Sequence, residues 1–196
     1  MRRHPVVIGT LVAVVALAAG IGAGAAVRAF QDDDTPEVSL SFDGTDDESN
    51  VDDLIGGDVT GEVAPAGRFA LLAGGSTSLS DLKGRPIVVN FFATWCAPCV
   101  KEMPAFESVH QELGDEVAFV GIDVRDSVDA TQGLVDKTGV TYVIGRDPSG
   151  AIFEAFNAVN MPSTFLIAAD GTVVDRHAGS MSADDLRARI QQHLLS

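Results

Sequence analysis

A buried strand running straight into a dithiol sets the terms for this chain. The stretch IVVNFFA (Ile87 to Ala93) has almost no polar face, as a central strand covered on both sides would. It leads into ATWCAPCVKEMPAF (Ala93 to Phe106), which holds Cys96 and Cys99, the only 2 cysteines among 196 residues. Beyond them Val100, Met103, Phe106, Val109, His110 and Leu113 recur at helical spacing until Gly114, so an amphipathic helix starts at the cysteines. Three uses of such a pair compete: a structural disulfide, half of a metal site, or a dithiol that cycles. A Cys96–Cys99 bridge closes too short a ring to remove much entropy from the unfolded chain, which makes the first use the weakest.

The flanking sequence alternates strands and helices. RFALLAGGSTSLSDLKGRP reads as a short hairpin about its Gly-Gly pair, and VAFVGIDV (Val117 to Val124) as a second buried strand. A helix from about Val128 to Lys137 follows, then a short strand at Tyr142–Ile144, a turn at Asp147–Gly150 and a helix through Ala158. STFLIAADGTVVDRHAG gives strand, Asp170–Gly171 turn and strand. Ser182 with Asp185 forms a capping box opening a final helix to Leu195. The expected fold over residues 61–196 is an α/β sandwich: a mixed central sheet flanked by helices, with an N-terminal hairpin extension.

Ahead of it, residues 1–29 begin with Arg2 and Arg3 and run from Val6 to Val27 without a charge. At about 1.5 Å per residue that run reaches roughly 33 Å, the thickness of a hydrocarbon core. A single N-terminal transmembrane helix is expected, with a signal peptide cleaved near Ala23–Ala25 as the alternative. The two arginines stay in the cytoplasm, so the remainder is exported: membrane-anchored with the C-terminal domain outside, or secreted if cleaved. Residues 30–60 read as an acidic, disordered linker. From Asp32 to Gly67 there are 12 acids and no Lys or Arg, whereas Arg68 onward has 10 basic residues against 16 acidic. A folded part so mildly acidic offers no footprint for nucleic acid.

The dithiol's position argues for reactivity. Cys96 stands at the first turn of a helix, where free N–H groups and the positive dipole end stabilise a thiolate. A spacing of three puts Cys99 on the same face within bonding reach. Pro98 sits where its missing N–H costs nothing, and Pro104, deeper in the helix, should kink it. Cys96 is then the exposed attacking sulfur and Cys99 the buried resolving one. Glu102, one turn further on, is placed to exchange the Cys99 proton, or is an ordinary exposed helix glutamate. A metal site needs two more ligands at zinc spacing, and His4, His110, His177 and His193 are not so paired; His110 and His177 read as structural. No metal is expected.

WCAPC (Trp95–Cys99), Pro104, MPSTFLI and DGTVVDRHAG together resemble the thioredoxin superfamily, and most nearly its exported, membrane-anchored TlpA/ResA-like branch. GEVAPAGRFALLAGGSTSLSDLKGRPIVVNFFATWC resembles that branch's opening sequence, and the likeness runs from about Gly61 to Leu195. It implies a thioredoxin fold and no cofactor beyond the redox-active Cys96–Cys99 pair. It implies that Asn90 stands where cytoplasmic thioredoxins keep a buried aspartate, and that Glu102 works beside the active site. It also implies that Met161–Pro162 is a cis-proline loop which, with Trp95 and Pro98, meets the substrate. Two departures stand out: Phe92 replaces the usual tryptophan, and Ser163 follows Pro162 where CcmG-type cytochrome-maturation proteins favour glutamate.

The implied activity is an extracytoplasmic thiol–disulfide oxidoreductase that reduces protein disulfides. Apocytochrome c is the implied client, and a membrane-embedded thiol donor the implied electron source. The principal alternative is an oxidase that forms disulfides in exported proteins. A peroxiredoxin-type peroxidase and a metal-binding module fit the motif less well.

Overall fold

The computed structural model describes residues 57–196, so the segment 1–29 and most of the linker 30–60 lie outside the described residues. Among the described residues no helix is long and apolar enough to cross a membrane. The described strands are β1 (Arg68–Leu71), β2 (Ser76–Ser78), β3 (Ile87–Phe92), β4 (Ala118–Val124), β5 (Val143–Asp147), β6 (Ser163–Ile167) and β7 (Val173–Ala178). The helices are α1 (Ala97–Leu113), α2 (Val128–Thr138), α3 (Ala151–Ala155) and α4 (Ala183–His193). All seven strands join one sheet in the order β2-β1-β5-β4-β3-β6-β7. The β3, β4 and β5 pairings are parallel, while β1 on β5, β6 on β3 and β7 on β6 are antiparallel, which makes the expected mixed sheet.

Strand periodicity divides the core. Val88 and Phe92 of β3 point to the face packed by Cys99, Met103, Phe106 and Val109 of α1, Leu134 of α2, and Leu186 and Ile190 of α4. Ile87, Val89 and Phe91 point the other way, among Phe69, Phe165 and the α3 side chains Ile152 and Phe153. Every residue of β3 is buried, which is why its sequence lacks a polar face. At the far flank β1 pairs with β5, and Phe69 lies over Gly145: a Cβ at that glycine would overlap the ring.

Local chemistry sets the ends of the elements. The Ser127 hydroxyl accepts the Ala130 N–H at 3.2 Å to open α2, and Gly139 ends it at φ 71°. At α4 the Ser182 hydroxyl accepts the Asp185 N–H at 3.1 Å and donates to the Asp185 carboxylate at 2.6 Å. The helix α1 continues through Pro104, which leaves the Val100 carbonyl without its i+4 donor.

Three boundaries differ from those read in the sequence. The strand expected at Tyr142–Ile144 instead spans Val143–Asp147, because buried Asp147 caps α3: its carboxylate accepts the N–H groups of Gly150, Ile152 and Phe153 at 2.9–3.0 Å. The helix α3 stops at Ala155 rather than Ala158, since Asn157 turns left-handed at φ 50°. Packing also begins before Gly61, with Val59 buried and Gly61 N–H bonded to the Val173 carbonyl at 2.8 Å.

Candidate active site

At the C-terminal end of β3 the chain tightens into a turn, with the Cys96 N–H donating to the Ala93 carbonyl at 3.1 Å. Cys96 is the N-cap of α1, and its Sγ accepts the Cys99 N–H at 3.3 Å. A sulfur in that position is already solvated by a helix N-terminus, the environment that stabilises a thiolate. Cys96 and Cys99 form a disulfide with Cα atoms 5.3 Å apart. Their burial is unequal in the expected order, but Cys96 is less open than expected: it is 6% exposed and Cys99 not at all. The reason is that Cys96 packs into the α1-side core, and what stands open is its neighbour Trp95, 65% exposed, together with Pro98.

The antiparallel pairing of β6 with β3 sets Ser163 opposite Phe91, which brings Met161–Pro162 to the strand end from which Cys96 departs. The Met161–Pro162 bond is cis, Pro162 is buried, and its carbonyl accepts the Gly179 N–H at 2.8 Å. Met161 packs against the cluster that contains both cysteines.

Beneath the cysteines lies a buried polar patch. Glu102 is 3% exposed, so the reading of an ordinary surface glutamate is overturned. Asn90 Nδ2 donates to Glu102 Oε1 at 2.9 Å and to Thr164 Oγ1 at 3.2 Å, and the Met181 N–H donates to Glu102 Oε2 at 3.0 Å. Burial outweighs these two donors and pushes the Glu102 carboxyl up to about 7. A group that changes charge near neutrality can take and return a proton there. Met181 carries no sequence signal for this role, because the group that matters is a backbone N–H that belongs to no motif.

The same burial has a stability consequence. The unfolded chain releases the Glu102 proton near pH 4.5 and the folded chain only near 7. The native state therefore binds more protons across that window and loses stability as pH rises through it, by up to about 3 kcal/mol. Asp123, also buried and also raised to about 7, adds a loss of the same sign. In urea titrations of the oxidised protein, the midpoint should fall from about pH 4.5 to 7, and fall less steeply in Glu102→Gln. Parallel slopes for the two proteins would show that Glu102 ionises as a surface carboxyl does.

An open depression of about 550 Å³ lies among His177, Met181, Asp185 and Arg189, and an apolar one of about 390 Å³ among Leu72, Val140 and Tyr142. Neither of these two depressions is lined by a cysteine. Among the described residues no three His, Cys, Asp or Glu side chains form a metal-ligating group. His110 packs its ring against Phe119 and Tyr142, at centroid distances of 5.3 and 5.9 Å, and His177 pairs with Thr164 across the β6–β7 ladder.

Residues 60–176 match the AhpC/TSA family. The chain is 32% identical over 133 residues to the thioredoxin-like protein YneN of Bacillus subtilis (strain 168), covering 66% of this chain and 78% of YneN. It is 29% identical over 133 residues to the thiol-disulfide oxidoreductase ResA of Bacillus anthracis, covering 67% of this chain and 77% of ResA. Among solved structures it superimposes on a secreted Mycobacterium tuberculosis disulfide oxidoreductase homologous to E. coli DsbE. The TM-score is 0.58 at 30% identity, over 65% of this chain and 96% of that one. A disulfide at the head of α1 on a thioredoxin-like sheet, matched along most of its length by oxidoreductases, makes this chain a thiol–disulfide oxidoreductase of the AhpC/TSA family.

Proposed function

We propose that the enzyme reduces protein disulfides outside the cytoplasm, held at the membrane by its N-terminal segment. The observation that carries this is the Cys99 N–H directed at Cys96 Sγ, one turn from buried Glu102. In the reduced enzyme the Cys96 thiolate attacks a client disulfide, forming a mixed disulfide and releasing one client thiolate. Cys99 then gives its proton to the Glu102 carboxylate and attacks Cys96 Sγ, releasing the second client sulfur. Two electrons have passed to the client, and the enzyme is left with the Cys96–Cys99 disulfide. Trp95 and Pro98 on the open rim, and the backbone at Met161–Pro162, would hold the client chain extended against the sulfurs.

A membrane thiol donor would regenerate the dithiol, and haem-attachment cysteines of apocytochrome c are the client class we favour. The export reading is supported by the apolar run of residues 6–27 behind two arginines, and by the secreted oxidoreductase to which the fold is similar.

Three measurements test the proposal. The reduction potential should lie well to the reducing side; a value near about −120 mV, typical of a strong oxidant, would assign the enzyme to disulfide formation instead. In cell envelopes Cys99→Ala should accumulate mixed disulfides through Cys96, and their absence under conditions where Cys96 alkylates would remove the client step. Peroxide consumption without any thiol client would favour a peroxidase.

A further inference from the structure

The loop that carries Cys96 is tied to a second acidic site that the thiol chemistry above does not use. At the C-terminal end of β4 the chain turns through Arg125 at φ 63°, a left-handed conformation that costs energy for any residue with a side chain. The turn is held from several sides. The Arg125 N–H donates to the Asp147 carbonyl at 3.0 Å, and its guanidinium donates to the Ser149 carbonyl at 3.2 Å and to Glu154 at 2.7 Å.

What this turn accomplishes is the placement of Asp126. Asp126 Oδ2 accepts the Thr94 N–H at 2.6 Å, and the Asp126 carbonyl accepts Arg146 Nη2, from β5, at 2.9 Å. Thr94 stands two residues before Cys96 in the turn that opens α1.

Asp123 lies on the same strand end, in register with Phe92 and 1% exposed. One of its oxygens, Oδ2, accepts the Thr131 hydroxyl of α2 at 2.5 Å; the other, Oδ1, is buried with no donor. The remaining hydrogen-bonding neighbour of this carboxyl is itself a carboxylate, Asp126. A buried carboxyl facing another acceptor is reconciled with it by keeping its own proton, and here the buried member is Asp123. Burial first, then Asp126, hold the Asp123 carboxyl up at about 7. The cation facing the pair is Arg146, whose Nε is buried without a partner, while the Arg125 guanidinium is engaged by Glu154 and Ser149.

We infer that Asp126 is a positioning residue for the redox reaction: facing the protonated carboxyl of buried Asp123, it pins the Thr94 N–H and so fixes the turn that presents Cys96. Loss of that proton sets two carboxylates against each other beside the loop and adds negative charge that opposes the Cys96 thiolate. The inference rests on the reading of Cys96 as the attacking sulfur.

The test uses the reduced full chain in a Glu102→Gln background, which removes the titration of Glu102 itself. The rate of Cys96 alkylation by iodoacetamide is followed against pH. The parent profile should need two ionisations, the thiol and the Asp123 carboxyl, and Asp123→Asn should leave one. In the chain that keeps Glu102, Asp126→Ala, which frees the Thr94 N–H, should lower kcat/KM for disulfide reduction about tenfold. Asp126→Asn, which keeps an acceptor oxygen for Thr94, should restore most of it. Superimposable profiles with and without Asp123, or an Asp126→Ala enzyme as active as its parent, overturn the inference and leave the dithiol reading intact. A Cys96 inert at every pH in the parent overturns both.

Discussion

Cys96→Ser should leave a folded protein that reduces insulin disulfides no faster than the thiol reagent alone. Serine in that position still accepts the Cys99 N–H as an N-cap, so α1 keeps its start, and the four-residue ring that is lost constrained the unfolded chain very little. The chemistry, by contrast, has no substitute nucleophile, since Cys99 is fully buried. Asp184→Ala is the matched control: that side chain is 95% exposed on α4, paired only with Arg187, and activity should be unchanged. Turnover above about a tenth of wild type in Cys96→Ser would mean that the attacking group has been misassigned.

On stability the largest single effect should come from Phe91→Ala. The Phe91 ring is fully buried on the face of β3 opposite the cysteines, edge-on to Phe153, Phe156 and Phe165 at centroid distances of 5.3–5.8 Å. Removing it deletes one partner from three aromatic pairs and opens a cavity that a central strand cannot relax to fill. The expected cost is about 3–5 kcal/mol, a large share of the roughly 5–15 kcal/mol that holds a domain together. Chemical denaturation of the oxidised protein reads it directly. A loss below about 1 kcal/mol would show that this cluster collapses around the gap.

The parts of the fold that could be read in the sequence are those whose causes are local. The strand β3 and the helix α1 follow from an unbroken apolar run and a helical recurrence, and the Ser182 cap lies beside the helix it starts. The limit of β5 is hidden because Asp147 looks like the first residue of a turn, and that of α3 because nothing in the sequence marks Asn157 as left-handed. Asp147 is buried only by virtue of the three N–H groups it binds further along the chain. The active site divides in the same way. Two cysteines behind a tryptophan announce themselves, whereas the burial of Glu102 depends on Asn90 and Met181, 12 and 79 residues away. The bond between Thr94 and Asp126 spans 32 residues and leaves no periodic trace.

The hairpin docked on β5 also decides how the sheet ends. Without β1, the parallel strand β5 would end the sheet with its backbone donors and acceptors open along its length, a template for any extended polypeptide. With the hairpin in place the outermost strand on that side is β2, only three residues long, and on the other side β7 carries Asp175, Arg176 and His177. Both margins of the sheet are thus poor in places for a passing extended chain to pair.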